Sequence, residues 1–364
     1  KDCSTAEINP LFSDSVYIDR LSRIPAIMEM PYNDIIRKFI DMYAGRLRNQ
    51  VSFMLSACNF YMPIFEEALD AYGLPLELRY LPIIESALNP SAVSRAGASG
   101  LWQFMIGTGK IYGLESNSLV DERRDPIKAT WAAARYLKEM YDIYGDWNLV
   151  IAAYNCGPGT INKAIRRANG ETDYWKIYNY LPKETRGYVP AFIAANYVMT
   201  YYCDHNICPM ETNIPASTDT VQVNKNLHFE QIADLCNVPL DQIKSLNPQY
   251  KKQMIPGDSK PYTLRLPIDA ISTFIDKQDT IYAHRADELF RNRKTVAIKE
   301  ITPSTRKTTT AVAGKGKLTY YTIKSGDTLS TIAGKYGVTI KDIQRWNGMS
   351  NTKIAAGKRL KIYK

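Results

Sequence analysis

Apolar residues in the first 205 positions recur mainly every three or four residues, the spacing of helices that bury one face. One such stripe contains Ile35, Ile36, Phe39, Ile40 and Tyr43. Alternating apolar and polar positions, which are typical of half-buried strands, are almost absent from this part of the chain. The pattern therefore predicts a region built from helices.

Turn and capping residues predict where several helices begin and end. Residues 62–69 begin a helix that the Gly-Leu-Pro sequence at 73–75 ends, and residues 75–85 then form a buried helix. Asp125 and Pro126 have the residue types of an N-cap and a first helical position. The other segments predicted to be helical are 101–112, 147–154 and 188–202.

The pattern changes after residue 208. Residues 218–266 and 318–364 each follow the order strand, helix, helix, strand, so they form a weak internal repeat of about 50 residues. Between them, residues 274–310 are polar and basic, which is typical of a flexible linker. The predicted fold class is mainly α, followed by small α+β modules of βααβ order.

Positive charge is concentrated near the end of the chain. The formal net charge is +9, yet residues 291–364 alone contain 17 Lys and Arg against 3 Asp and Glu. Such a basic tail suits an anionic partner, and it equally suits a purely solubilising role. No aromatic and basic stacking face accompanies the charge, so we do not expect nucleic-acid binding. No apolar run reaches the roughly 18 residues that span a bilayer.

Six cysteines are scattered along the chain. Cys203 and Cys208 enclose four residues, a spacing that permits a local disulfide in an oxidising compartment. Cys3 lacks the small-residue context of lipid-bearing cysteines, so we expect any membrane association to lie outside the sequenced region. No CxxC pair or Cys/His cluster has the spacing of a metal site, and we predict no metal.

The second repeat unit reads YYTIKSGDTL at residues 320–329 and continues with Ile332, Ile343, Trp346 and Leu360. This unit resembles a LysM domain over its whole length. The resemblance implies that Thr328 caps the first helix and that N-acetylglucosamine-containing chains bind between two loops. The residues expected to form that groove are Gly326, Asp327, Thr328, Leu329 and Ile354.

The first repeat unit keeps the rhythm of the second but lacks its Gly-Asp pair. We therefore interpret residues 214–270 as a degenerate LysM-like domain, and its sugar binding stays open.

One carboxylate, Glu85, lies in an apolar stretch between Leu81 and Leu88. Apolar surroundings disfavour the charged form and raise the pKa of a carboxyl group. A raised pKa allows such a group to protonate the leaving oxygen of a glycosidic bond at neutral pH. Taken alone, a single Glu in an apolar run is more often a surface residue.

Four ordered motifs surround this candidate: ESALNP at 85–90, GASGLWQF at 97–104, AYNCG at 153–157 and ETRGYVP at 184–190. In this order and spacing they resemble the soluble-lytic-transglycosylase domain of the goose-type lysozyme superfamily. The resemblance covers roughly residues 70–205. It implies a lysozyme-like helical catalytic domain that acts on the glycan strands of peptidoglycan.

The resemblance also assigns roles by position. It makes Glu85 the single catalytic acid and then base, and Ser86 a hydrogen-bond partner of the substrate or of Glu85. The residues expected to line the cleft or to orient Glu85 and the sugar are Gly100, Gln103, Phe104, Tyr154 and Asn155, with Tyr188 closing the wall. Ordinary aromatic core for Tyr154 and a helix C-cap for Asn155 stay open as alternatives.

A second carboxylate about 5–9.5 Å away is needed in glycosidases that use two carboxylates. Asp121, Glu122 and Asp125 form the dense acidic cluster nearest in sequence, but Asp125 is better explained as a helix cap. The resemblance instead implies a lytic transglycosylase that needs no cofactor and forms 1,6-anhydro-N-acetylmuramic acid ends without water. A lysozyme-type hydrolase and a non-catalytic peptidoglycan-binding scaffold are the alternatives.

We expect a monomer in the periplasm or at the outer membrane of a Gram-negative bacterium, with peptidoglycan glycan strands as partner. The predicted segments are an N-terminal helical extension (1–69), a catalytic domain (70–208), a degenerate LysM-like domain (214–270), a basic flexible linker (271–316) and a LysM domain (317–364).

Overall fold

The computed structural model describes residues 3, 8–212, 214–215, 217–290, 300, 318–324, 326–349, 351–352 and 354–363. The chain divides into two compact units, Lys1–Ile301 and Thr302–Lys364. Within the described ranges, no helix combines the length and apolarity that crossing a membrane requires.

The first unit begins with a helical region. Its α-helices are α1 (Asp14–Ser22), α2 (Asp34–Ala44), α3 (Arg48–Ala71), α4 (Leu81–Ser86), α5 (Ile106–Ile111), α6 (Pro126–Tyr144), α7 (Trp147–Cys156), α8 (Pro158–Arg167), α9 (Tyr174–Ile177), α10 (Lys183–Arg186) and α11 (Tyr188–Tyr201). Short 3-10 helices occupy Leu76–Tyr80, Glu122–Arg124 and Tyr178–Tyr180.

Helix α11 lies at the centre of this region. Its residues are buried almost throughout, as expected for a helix that is apolar on every side. It packs against α2 from the N-terminal part and against α4 and α7 from the later part. One continuous core runs from Tyr17 to Ile207, so the N-terminal helices and those that follow residue 70 bury their apolar faces together.

Helix α3 corrects two sequence predictions. A helix was expected to begin at residue 62, but α3 runs unbroken from Arg48 to Ala71 with Pro63 inside it. Tyr61 and Phe65 are buried on either side of this proline, and their packing holds the helix together although proline removes one backbone donor. The predicted boundary between residues 69 and 70 therefore falls inside a helix.

A disulfide joins Cys3 to Cys208. The local Cys203–Cys208 disulfide that the spacing permitted is therefore not the bond that forms. The bond that forms connects the start of the chain to the end of the helical region across 205 residues.

The second part of the first unit is the LysM-like module. Its elements are β1 (Thr218–Val223), β2 (Asn226–His228), α12 (Phe229–Cys236), α13 (Leu240–Leu246), β3 (Met254–Pro256) and β4 (Tyr262–Pro267), followed by α14 (Ile268–Asp276), α15 (Gln278–Ala283) and α16 (Ala286–Leu289). Strand β1 pairs antiparallel with β4, Thr218 lying opposite Pro267. Strands β2 and β3 form a second antiparallel pair that the sequence did not indicate.

The prediction of a flexible linker from residue 271 is wrong for residues 271–289. Ala270, Phe274 and Ile281 are buried in the core of the module, so α14 and α15 are part of it. The polar run at residues 276–280 and the polar, basic segment after it gave this part of the chain the composition of a linker. Apart from Glu300, residues 291–316 of the predicted linker lie outside the described residues.

The second unit has the predicted βααβ order: β5 (Leu318–Thr322), α17 (Leu329–Tyr336), α18 (Ile340–Asn347) and β6 (Arg359–Tyr363). Strands β5 and β6 pair antiparallel. Ile332, Ile343 and Leu360 lie in its core as predicted. The predicted class, mainly helical with small strand-containing modules at the end, is confirmed.

Candidate active site

Helix α4 presents Glu85 in its last turn. Pro82 stands in the first turn, where a missing backbone donor costs little. The helix stops because Ala87 and Leu88 adopt left-handed φ angles of 51° and 59°. Their N–H groups donate back to the Ile83 and Pro82 carbonyl oxygens, which satisfies the helix end. This sharp end fixes the position from which Glu85 projects.

Glu85 is held against α11. The Tyr188 hydroxyl, at the first residue of that helix, donates a hydrogen bond to Glu85 Oε1. Burial raises the pKa of Glu85 to about 7, although the Tyr188 hydrogen bond acts to lower it. The negative charge of Glu184 raises this pKa further. A carboxyl group in this environment is partly protonated at neutral pH, as a general acid requires.

Tyr154 lies next to this pair but binds a different group. Its hydroxyl donates to the Trp102 carbonyl oxygen at 2.7 Å. Burial raises the pKa of Tyr154, and the charge of Glu85 adds to the effect. The hydrogen bond to Glu85 that orients the carboxyl group therefore comes from Tyr188, which the sequence placed only in the wall, while Tyr154 anchors the loop at residues 97–104.

The loop at residues 97–104 depends on Gly100. This glycine has a φ of 88°, and a Cβ here would lie 1.7 Å from the Arg123 carbonyl oxygen. Gln103 also has a positive φ, 49°, and its side-chain amide donates to the Gly100 carbonyl oxygen at 2.8 Å. The Gln103 side chain thus stabilises the loop that carries it. Phe104 is buried and belongs to the core.

Ser86 joins the catalytic helix to the same loop. Its hydroxyl lies 3.0 Å from the Pro82 carbonyl oxygen and 2.9 Å from the Leu101 carbonyl oxygen. These two contacts are to backbone oxygens and do not include the expected hydrogen bond to Glu85, while a hydrogen bond from Ser86 to substrate stays a prediction. Ser86 therefore helps to set the distance between Glu85 and the loop.

Arg123 stabilises the loop at residues 97–104 by binding its carbonyl oxygens, a role that the sequence did not reveal. Its guanidinium donates to the carbonyl oxygens of Gly97 at 2.8 Å and of Phe104 at 3.0 Å. It also forms a buried two-point pair with Asp121, with both N···O distances at 2.8 Å. A planar guanidinium can serve all these acceptors at once, and a lysine could not.

The acidic cluster near residue 121 is fully engaged in structure. Asp121 is paired with Arg123, and these charges hold the pKa of Asp121 below its usual value despite burial. Glu122 binds Lys128, and Asp125 caps α6 by accepting from the Ile127 and Lys128 N–H groups. This cluster is therefore occupied by structural contacts, in line with the interpretation of Asp125 as an N-cap.

Asn155 connects two helices of the site. Its Oδ1 accepts a hydrogen bond from the Thr185 hydroxyl at 2.9 Å, which links the end of α7 to α10.

Glu184, next to Thr185, is exposed. Its influence on the pKa of Glu85 makes Glu184 the second carboxylate to consider at this site, and the sequence analysis missed it. Its place in the ETRGYVP motif was the available signal.

Over the described residues, no group of three or more His, Cys, Asp and Glu side chains is arranged to hold a metal ion.

The predicted sugar-binding residues of the C-terminal unit divide into two kinds. Thr328 caps α17 as expected, and Leu329 is only 2% exposed, so its side chain belongs to the core. The Asp327 carboxylate accepts hydrogen bonds from the Tyr321 hydroxyl and the Lys324 N–H, both at 2.8 Å. Gly326 is exposed with a φ of 89°, and Ile354 is half-buried. Asp327 and Leu329 thus shape the loop, whereas Gly326 and Ile354 remain accessible.

Three family models match the chain. Residues 62–177 match the Transglycosylase SLT domain, residues 217–283 match the LysM-like domain of lytic transglycosylase MltD, and residues 321–362 match the LysM domain. The second match extends past residue 270, in agreement with the packing of α14 and α15 on the module.

Similar proteins cover most of the chain or single parts of it. Membrane-bound lytic murein transglycosylase D of Escherichia coli (strain K12) is 32% identical over 341 residues, which are 92% of this chain and 70% of that protein. Soluble lytic murein transglycosylase of the same strain is 33% identical over 124 residues, 32% of this chain and 19% of that protein. Autolysin of Enterococcus faecalis is 51% identical over 49 residues, 14% of this chain and 7% of that protein.

Among solved structures, the 70 kDa soluble lytic transglycosylase of Escherichia coli superimposes with a TM-score of 0.35 and 28% identity. The superposition covers 42% of this chain and 26% of that one.

Proposed function

This chain belongs to the family of membrane-bound lytic murein transglycosylase D and is a peptidoglycan lytic transglycosylase, and from that premise we propose that Glu85 is its single acid and base. The observation that carries the proposal is the environment of Glu85. The Glu85 side chain lies half-buried at the end of α4 and accepts a hydrogen bond from the Tyr188 hydroxyl, and its pKa is raised to about 7.

The first step is bond cleavage. Protonated Glu85 donates its proton to the oxygen between N-acetylmuramic acid and N-acetylglucosamine, because an alkoxide is a poor leaving group at neutral pH. The N-acetyl group of the substrate stabilises the positive charge that develops at C1 of the muramic acid. Glu85 leaves this step as a carboxylate, and the Tyr188 hydroxyl is placed to stabilise that charged form.

The second step is ring closure. Glu85, now a base, removes the proton from the C6 hydroxyl of the same muramic acid, and the oxygen attacks C1. The reaction is intramolecular, so it benefits from a high effective concentration of the nucleophile. The product is a 1,6-anhydro-N-acetylmuramic acid end, and the proton returns to Glu85 for the next cycle.

Glu184 offers the basis for a second candidate function. A lysozyme-type hydrolase that uses two carboxylates needs one partner for Glu85, and Glu184 is close enough to affect its pKa. Glu184 is exposed, however, and solvent screens its charge. These features favour a role in tuning Glu85 over a role as a nucleophile.

The C-terminal LysM domain gives the enzyme a second point of attachment to its polymer. Binding of this domain to peptidoglycan raises the local concentration of glycan at the catalytic region. We place the protein, as a monomer, in the cell envelope of a Gram-negative bacterium.

Product analysis tests this proposal. The wild type and the Glu85→Gln variant are incubated with purified sacculi, and the released fragments are measured by mass spectrometry. The wild type is expected to give fragments one water lighter than hydrolysis products, and the variant to lose about 10³-fold or more in rate. Hydrolysed ends from the wild type, or an active variant, would contradict it.

A further inference from the structure

In the LysM-like module of the first unit, two loops correspond to the predicted sugar-binding loops of the C-terminal LysM domain. These two loops lie against each other, and we call them the closed loops. These two loops pair as strands β2 and β3. The Asp258 carboxylate also accepts a hydrogen bond from the Asn226 N–H at 3.1 Å. Gly257 approaches so closely that a Cβ would lie 2.3 Å from the Lys225 carbonyl oxygen. Backbone therefore fills the space that a sugar would need.

The C-terminal unit differs at the same place. Among its described residues, β5 and β6 are the strands present, and they pair only with each other. Within the described part of this unit, no strand pair corresponds to β2 and β3. Any sugar binding by the first module has to use another surface.

The first module is also fixed on the helical region. Leu119 and Val120, which belong to the loop before α6, are buried in the core of the module. The Lys251 N–H donates to the Leu119 carbonyl oxygen at 2.8 Å, and the Asp121 N–H donates to the Gln249 carbonyl oxygen at 2.9 Å. Shared core and backbone hydrogen bonds make the module a rigid wall beside the catalytic region.

A groove of about 820 Å³ runs between this wall and the helical region. Its volume lies within the range of small-molecule and saccharide-sized sites. On one side are Leu88, Asn89 and Pro90, the residues that follow the catalytic helix α4 directly. The groove is therefore continuous in sequence and in space with the segment that presents Glu85.

The lining of the groove has the chemistry of a saccharide site. Phe53 and Phe60 of α3 offer aromatic surface, which suits the apolar C–H face of a sugar ring. Asn89, Gln242 and Ser245 bring amide and hydroxyl groups that match sugar hydroxyls and N-acetyl groups.

The charges of the groove distinguish between parts of the substrate. Among the described residues, its charged lining residues are Glu211 and Asp241, both exposed, and Asp241 is paired with Lys244 at 3.1 Å. The Glu211 carboxylate disfavours a carboxylate-bearing peptide stem on its side of the groove, whereas it does not repel an uncharged stretch of sugar.

We infer that the groove between α13 of the first module and α3 of the helical region is an additional binding site for the glycan strand, extending the active site beyond Glu85. This inference rests on the proposed function, since the occupant is the polymer that Glu85 cleaves. The first module thus contributes to substrate binding through helix α13 and not through its closed loops.

Methyl NMR on the full chain tests this site. The Glu85→Gln variant, which traps the substrate uncleaved, is titrated with a soluble strand of alternating N-acetylglucosamine and N-acetylmuramic acid. Saturable shifts are expected at the groove methyls of Leu88, Ile214 and Leu246, with none at Leu227 and Ile255 beside the closed loops. Shifts confined to the C-terminal unit, or shifts at Leu227 and Ile255, would overturn the inference. Either result leaves the proposed function to be judged separately from the products of the wild type.

A blocking substitution gives a second, kinetic readout. In the otherwise wild-type enzyme, Ser245→Trp places a large side chain in the groove, and Ser272→Trp makes the same change on the exposed surface of α14. We expect Ser245→Trp to raise KM for long strands about tenfold relative to Ser272→Trp, and to have a smaller effect on KM for the shortest substrate. Equal kinetics for the two variants on long strands would overturn the inference.

Discussion

The hydroxyl of Tyr188 at the start of α11 donates a hydrogen bond to Oε1 of Glu85 at the end of α4. The contact joins the most buried helix of the catalytic region to the proposed acid and base. Burial favours the neutral carboxyl group, while the hydrogen bond favours its carboxylate. The balance between these effects keeps both protonation states accessible near pH 7.

Removing the Tyr188 hydroxyl is expected to raise the pKa of Glu85. In Tyr188→Phe the carboxylate loses a hydrogen-bond donor, and burial then acts unopposed. The alkaline limb of the kcat/KM profile, where the acid form is lost, should move to higher pH, and kcat should fall because the base form is less stable. The control is Tyr180→Phe, which changes an exposed tyrosine. Identical pH profiles for both variants would show that Tyr188 has only a packing role.

Neutralising Glu184 is expected to have the opposite effect on the same limb. Its negative charge raises the pKa of Glu85, so Glu184→Gln should lower that pKa and move the limb to lower pH. Activity at pH 6 should stay within a fewfold of the wild type, and the anhydro product should persist. A loss of about 10³-fold at all pH values would instead identify Glu184 as a second catalytic carboxylate.

The loop at residues 97–104 offers a matched pair of glycine substitutions. Gly97 and Gly100 have φ angles of 90° and 88°, so alanine is strained at both. Only at Gly100 does the new Cβ also collide with backbone, at the Arg123 carbonyl oxygen. We expect Gly97→Ala to cost about 1 kcal/mol of unfolding free energy and Gly100→Ala about 3 kcal/mol or more. Chemical denaturation measures both, and equal costs would contradict the described approach of loop and Arg123.

The raised pKa of Glu85 also predicts how stability depends on pH. Between about pH 4.5 and pH 7 the folded state holds a proton on Glu85 that the unfolded state releases. The stabilisation is therefore complete below the unfolded pKa and is lost as pH rises through about 7. Relative to the wild type, Glu85→Gln should be more stable at pH 8 by up to about 3 kcal/mol and nearly equal at pH 4.

Thermal unfolding at the two pH values measures this difference. Glu211→Gln, which changes an exposed carboxylate, is the control. A stability difference for Glu85→Gln that is the same at pH 4 and pH 8 would show that Glu85 is not buried as described.

The sequence indicated most of the helices because their limits depend on local chemistry. The start of α6 is an example, because Asp125 as the N-cap and Pro126 at the first helical position each explain one backbone conformation. Local residue types could not predict that α3 continues through Pro63, because this continuity depends on the burial of Tyr61 and Phe65 by distant segments.

For the candidate site, the motifs indicated which residues to consider but not which contacts they make. Tyr188 lies 103 positions from Glu85, and the hydrogen bond between them exists only because α11 packs against α4. Arg123 holds the carbonyl groups of the loop in addition to its pair with Asp121, and nothing in the sequence indicated this role. Contacts to backbone oxygen leave no pattern of residue types, and a single sequence does not reveal them.

The most direct test of the central claim is the titration of the Glu85 carboxyl group itself. Carboxyl carbon NMR of the full chain with ¹³C-labelled glutamate follows the ionisation of this residue, and the resonance is assigned by its absence from Glu85→Gln. A titration midpoint at about pH 7 is predicted from burial against α11. A midpoint near 4.5, the ordinary value for a glutamate, would mean that Glu85 is ionised at neutral pH and does not serve as the acid.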